Sequence, residues 1–205
     1  MHILLHPTYF PSIAQYIAIA NAKSVTFEMH DNYQKQTYRN RAYVYGANGK
    51  LQLSVPVLHS HKNRQLYKDV KISDKEKWQL LHWKSLESAY KTSPFFEFYE
   101  DEIYPLFTIK SDFILDHNLK CFEVINDCLQ LDIIPKFSTI FEKEPSNLTD
   151  YRYLTNARQE QNINLEPYTQ VFNAKHGYIN NLSILDLLFN EGTNALSYLE
   201  AQQLR

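Results

Sequence analysis

HILLHPTYFPSIAQYIAIANAKSVTFEMH, residues 2–30, decides the fold. His2–His6 is a short apolar run ended by Pro7, and Pro11 closes the turn behind it. Ser12 stands where an N-cap belongs, and Ile13, Ile17 and Ala20 then recur at helical spacing, which predicts a helix from Ile13 to about Asn21. Ser24–His30 switches to a period of two, with Val25, Phe27 and Met29 on one face and Thr26, Glu28 and His30 on the other. A right-handed crossover between two such strands lays them parallel and brings their carboxyl ends to one edge of a sheet. Ligands favour that edge in open α/β sheets. His6, Pro7, Tyr9, Glu28, His30 and Asn32 all fall at or just past those ends.

The next stretch, Asn32–Arg41, holds four amides, three basic side chains and two tyrosines in ten residues. Arginine offers a planar fork of donors, amides donate and accept, and tyrosine combines a flat face with a polar tip. That set suits a polar, anionic ligand; a solvated edge strand is the plainer alternative. Arg41–Tyr45 and Lys50–Val57 flank Asn48-Gly49 and read as a hairpin, with Pro56 marking a strand end or sheet edge. His59–Lys68 is polar and basic, either a solvated loop or a mobile cover over a site. Asp69–Ile72 adds a short strand.

Beyond this the pattern is mainly helical. A helix is expected over Lys75–Tyr90, capped by Ser73 or Asp74, with Trp78, Leu81, Leu86, Ala89 and Tyr90 on its apolar face and His82 among them. A histidine so placed is either a core residue bonded to backbone or a general acid/base, since its unperturbed pKa lies near neutrality. Phe95–Phe107 forms an acidic, aromatic segment, Ser111–Leu131 a long amphipathic helix and Phe137–Ile140 a strand. Glu142–Glu166, with Asp150, Arg152 and Arg158, reads as a surface loop containing one helical turn. In the tail, Ser183 and Asp186 have capping spacing before an apolar helix closed by Gly192, and a last helix runs from about Asn194 to Leu204. The expected architecture is α/β: an N-terminal β-α-β unit and hairpin forming a mixed sheet, then a mainly helical C-terminal half. One domain over residues 1–205 is expected, with lobes at 1–73 and 74–205.

Composition narrows the function. The 21 basic and 23 acidic residues leave a formal net charge of -2, which argues against a general nucleic-acid binder. The four glycines are not clustered as phosphate-cradling loops require, so side chains must hold any bound phosphate. Cys121 and Cys128 lie about two helical turns apart, too far for a disulfide. There is no structural-zinc pattern; Glu28, His30 and Asp31 could supply ligands to a divalent metal, but none is required. No apolar run is long enough to cross a bilayer and no signal peptide is evident, so a cytoplasmic location is expected.

Several motifs together resemble the WbqC-like family: HPTYFPSIAQY, Glu28 followed by MHDNYQKQTYRNR, LSVPV, KWQLLHWKSLESAYKTSPFFEFY and NLSILDLLFNEG. The resemblance spans nearly the whole chain except Glu142–Glu166. Its matching positions include Asn32, Tyr33, Gln36, Asn40, Arg41, His82, Tyr90, Ser183, Asp186 and Asn190. Where many relatives carry Gln-Pro, this chain has His6-Pro7. The family takes its name from an O-antigen gene cluster, so the resemblance implies a part in surface-polysaccharide production. It supplies no catalytic residue and no cofactor.

Two functions follow. In the first, an enzyme of group transfer acts on a nucleotide-activated or carrier-bound sugar. Arg39 and Arg41 hold its phosphate or carboxylate, and Asn32, Gln36 and Asn40 orient polar groups. Tyr9, Tyr33 and Tyr90 line the ligand with His30, and His82 with Glu28 carries the chemistry. In the second, the same residues serve a non-catalytic sugar- or anion-binding or assembly protein.

Overall fold

The computed structural model describes residues 1–58, 64–158 and 163–204. The expected β-α-β opening is present as β1 (His2–Leu5), α1 (Ile13–Ala20) and β2 (Ser24–Phe27). Ser12 caps α1 through a full capping box, its Oγ accepting from the Gln15 N–H while the Gln15 side chain returns to the Ser12 N–H. β1 and β2 run parallel, in a register from His2 opposite Ser24 to Leu5 opposite Phe27. Both strands end earlier than their periodicity predicts. Thr26 and Glu28 are as buried as Val25 and Phe27, so both faces of the sheet are covered, as is usual for parallel strands.

The hairpin is formed by β3 (Arg41–Gly46) and β4 (Gly49–Ser54), with Gly49 supplying the positive φ that its turn needs. It makes its own antiparallel sheet. β5 (Val57–Leu58) follows Pro56 and pairs antiparallel with β6 (Lys71–Ile72), in place of an extension of β4. Of the expected His59–Lys68 loop, residues 59–63 lie outside the described residues. The remainder is not a free cover: Tyr67 is fully buried in a short 3-10 turn, and Leu66 bridges to Asn32.

The helices are α2 (Trp78–Tyr90), α3 (Phe96–Ile103) and α4 (Ile114–Leu129). α2 begins later than expected, because neither Ser73 nor Asp74 caps it, and Leu81 is 59 % exposed, with Trp83 and His82 inside in its stead. Cys121 is buried and Cys128 half-buried, and both are free.

The parallel sheet gains one outer strand at the start of the expected Phe137–Ile140 strand and the other from within Glu142–Glu166, which reads as a loop. β7 (Lys136–Phe137) pairs parallel with β2, and β8 (Thr149–Asp150) pairs parallel with β1, giving the order β7-β2-β1-β8. Immediately after β8, Arg152–Thr155 forms a 3-10 turn. The tail adds α5 (Asn173–His176), α6 (Ile184–Glu191) and α7 (Ala195–Ala201). It is tied to the opening by Ile13 N–H to Leu182 O at 2.9 Å and Ser183 N–H to Tyr43 O at 2.7 Å. Ser183 caps α6, but Asp186 does not share that role. Its buried carboxylate instead accepts from Tyr90 (2.6 Å), Tyr168 and Gln170 (2.9 Å). A contiguous core runs from Ile3 on β1 to Leu199 on α7, and among the described residues no helix is long and apolar enough to cross a membrane.

Candidate functional site

Past the last residue of β1 comes His6, and four residues past the last residue of β2 comes Asp31. Parallel pairing sets these two side by side, with His6 Nε2 2.9 Å from Asp31 Oδ2. Arg39 completes a triangle, its Nη2 lying 2.8 Å from the same oxygen and 2.7 Å from the same imidazole nitrogen. Only 1 % of Arg39 is exposed. A buried guanidinium needs a counter-charge, and Asp31 supplies it. Tyr67 gives further support, its ring centroid 5.2 Å from the guanidinium carbon. Asn118 on α4 holds both partners, donating to Tyr67 Oη and, at 2.7 Å, to the Arg39 carbonyl.

The triangle cannot satisfy all three of its edges. With the proton on His6 Nε2, His6 and Arg39 both donate to Asp31 but face each other as donors. With the proton on Nδ1, Arg39 donates to both, but the imidazole lone pair faces the carboxylate. Burial, and secondarily the Arg39 charge, push the His6 pKa down to about 4, so the ring is neutral near pH 7. Burial acts to raise Asp31, but its contacts with His6 and Arg39 outweigh that and hold it below the usual carboxylate range. Thr155 Oγ1 lies 3.4 Å from His6 Nδ1, so a hydroxyl, an imidazole and a carboxylate stand in line.

A second carboxylate sits beside the first. Glu28 is buried, accepts from Ser138 Oγ (2.9 Å) and the His30 N–H (2.7 Å), and lies 3.6 Å from Arg152 Nη1. Arg152 is in turn forked onto Asp150 and donates to the carbonyls of Glu142 and Lys143. The 138–143 segment therefore passes over the carboxyl edge of the sheet.

Within Asn32–Arg41 the structure separates what the sequence grouped. Arg39 is interior. Asn40 donates to the Val55 carbonyl at 3.0 Å, and Arg41 reaches Gln52 Oε1 at 3.5 Å on the hairpin. Tyr33 is buried with its ring 6.1 Å from that of Tyr67, while His30 and Asn32 are half-buried and Gln36 is exposed at φ 60°. Three consecutive residues leave buried polar atoms without a hydrogen bond among the described residues: Arg39 Nε, Asn40 Oδ1 and Arg41 Nε. Among the described residues both hydrogen bonds of the Arg39 guanidinium go through Nη2.

Tyr9 and His82 meet each other instead of an open cleft. Tyr9 Oη and His82 Nδ1 are hydrogen-bonded at 2.8 Å, and the ring lies near the Ser54 main chain. His117 stacks on Tyr9 at 5.8 Å. Burial lowers both histidines to about 4. Tyr90 belongs to the Asp186 network. Glu28 and Asp31 are taken up by different partners, Ser138 and Arg39, and among the described residues no three His, Cys, Asp or Glu side chains are placed to hold a metal.

The sequence places His6 at the strand ends and offers Asp31 as a metal ligand, but assigns neither to the ligand site, and it does not single out Tyr67, Asn118, Ser138, Arg152 or Thr155. The strand-end rule does point to His6 and Asp31. The rest come from segments distant in sequence and carry no local pattern.

No curated protein and no solved structure matches the chain. Residues 6–164 match the WbqC-like protein family, a span that starts just past β1 and takes in α1, β2, the His6–Asp31–Arg39 triangle and its supports up to Thr155. The chain therefore belongs to the WbqC-like family.

Proposed function

We propose that this protein is an enzyme of surface-glycan biosynthesis that transfers a group to or from a nucleotide-activated or carrier-bound sugar, bound through its anionic group at the carboxyl edge of β1 and β2. One observation carries the reading: among the described residues Arg39 is a buried cation with one carboxylate partner, Asp31, a buried Nε without a hydrogen bond and a neutral imidazole in contact. A phosphate accepts from such donors, and nucleotide- or carrier-linked sugars present one. The family's association with a polysaccharide gene cluster agrees with this.

In the proposed reaction Arg39, with Arg41 at the rim, holds the anion while Asn32, Gln36 and Asn40 orient polar groups and Tyr33 covers the ligand. His6, oriented by Asp31, accepts the proton of the attacking group through Thr155. Anion binding offsets the Arg39 charge that depresses His6 and so makes it a stronger base when substrate is present. His82, bonded to Tyr9, positions the β1–α1 turn, and Glu28 fixes Ser138 and Arg152. A non-catalytic anion- or sugar-binding role draws support from the weak basicity of His6.

The test is thermal stabilisation by inorganic phosphate and nucleotide sugars, then product detection by mass spectrometry. Ligand at a hundred times its Kd adds about 2.7 kcal/mol. His6→Gln is expected to keep ligand stabilisation and abolish turnover. Ligand binding with no turnover in the parent protein establishes the binding role; stabilisation that survives Arg39→Met places the ligand elsewhere.

A further inference from the structure

We infer that the groove between α3 and α4 docks a cationic amphipathic helix of a partner protein. The groove encloses about 380 Å³ and is lined by Phe98, Tyr99 and Glu102 from α3, Val124, Asp127 and Cys128 from α4, then Gln130 and Thr193. None of these belongs to the site at the strand ends.

The two helices contribute in the same way. On α3, Phe98 and Glu102 are four residues apart; on α4, Val124, Asp127 and Cys128 stand at i, i+3 and i+4, so each helix turns an apolar and an acidic side chain to the same face. Phe98 is 65 % exposed although its ring packs edge-on against Tyr99, with centroids 4.7 Å apart. A phenylalanine so placed leaves most of its apolar surface in water. Neither Glu102 nor Asp127 has a cation partner among the described residues, and Glu97, Glu100 and Asp101 extend the uncompensated charge along α3. Both carboxylates act on the groove floor: Cys128 is pushed up to about 12, by burial first and then by Glu102 and Asp127.

Apolar walls with a carboxylate on each side fit a helix that inserts one large apolar side chain and carries Lys or Arg a turn away on both flanks. Two flanking carboxylates about an apolar floor, with the exposed Phe98 ring at its edge, favour a helix over a small amine, and an acidic or neutral partner would leave Glu102 and Asp127 uncompensated.

The probe is a fluorescein-labelled helix of fourteen residues built from Ala, Leu and Lys, with a Glu-for-Lys counterpart, read by fluorescence anisotropy on the full chain. The basic helix is expected to bind and its acidic counterpart not to. Phe98→Ser and the pair Glu102→Gln/Asp127→Asn are each expected to weaken binding by about tenfold or more, in line with loss of an interface anchor. These are surface changes, and an unchanged melting temperature confirms that each variant is folded. Absence of binding, or equal binding by both helices, overturns the proposal. So does binding that responds to salt but not to Phe98→Ser, which makes it diffuse charge attraction. Sedimentation of the parent chain as a dimer that Phe98→Ser dissociates also overturns it, with a second copy as the true occupant.

Discussion

Removing Asp31 is expected to damage the protein more than removing the arginine it serves. In Asp31→Ala the Arg39 cation stays in place, 1 % exposed, with no carboxylate. Breaking a buried pair from one side costs about 3–5 kcal/mol. The Asp31 side chain is 12 % exposed, so water reaches its position, and the lower end, about 3 kcal/mol, applies. In a chain of this size that corresponds to a drop in Tm of roughly 6–12 °C. Arg39→Met behaves differently. Asp31 then keeps His6 at 2.9 Å, the Asn32 N–H at 2.7 Å and its contact with solvent. The lost charged hydrogen bond is worth about 1.5–3 kcal/mol, and release from burying a guanidinium offsets much of it, leaving about 1 kcal/mol. The double variant, lacking both charges, should resemble Arg39→Met, with a coupling of about 3 kcal/mol. Urea unfolding of all four proteins at pH 7.5 measures this. If the single costs are equal and the double cost is their sum, Asp31 is not the counter-charge of Arg39 and the triangle is not the organising unit of the site.

Acid should destabilise the chain early. His6, His82 and His117 each fall from 6.5 to about 4 on folding, so the unfolded chain binds protons that the folded chain refuses. Stability is then complete above about pH 6.5, falls as pH drops towards about 4, and loses on the order of 1–3 kcal/mol per histidine; a urea midpoint flat across that window would refute the assignment. Asp186→Ala strands the donors of Tyr90, Tyr168 and Gln170 and is expected to cost at least about 3 kcal/mol by chemical unfolding, with Asp186→Asn milder. Gly192→Ala combines φ 56° with a Cβ that would meet the Phe95 ring at 2.4 Å; a loss of about 2–4 kcal/mol is expected, and a neutral result would mean that α6 ends differently. Thiol labelling of the native chain should be slow at both cysteines, with Cys121 the slower, and fast at both in urea.

The opening of the fold was legible because its signals are local. Ser12 and Gln15 are three residues apart, and the switch from helical to alternating spacing between Ala20 and Val25 needs no knowledge of the rest of the chain. β7 and β8 were a different matter. Each has two paired residues, and two residues carry no period. β7 was expected at its place as a strand, but β8 vanished into a stretch read as loop. Arg39 shows the limit most plainly. Among amides and tyrosines an arginine reads as surface, and only Asp31, Tyr67 and Asn118, drawn from three other segments, make an interior position tolerable. His82 was placed correctly among buried neighbours. What the imidazole bonds to depends on Tyr9, which no helical wheel contains. Asp186 taught the same lesson: its spacing from Ser183 matches a cap, while its carboxylate is taken by two tyrosines and a glutamine.

The pairing of Ile3 with Thr149 also sets a timetable for the chain. β1 waits for almost the last part of the family-matched span before its outer edge is covered, and a contact of such sequence separation is slow to form. His6, Asp31 and Arg39 are all synthesised early, yet Thr155 and Arg152 reach them only when β8 docks. A nascent chain shorter than about residue 155 therefore carries a collapsed β-α-β unit with an open strand edge, a template for misassociation with other chains. Two residues of β8 close that edge and deliver the last side chains of the site in one step, so protection from aggregation and completion of the site arrive together.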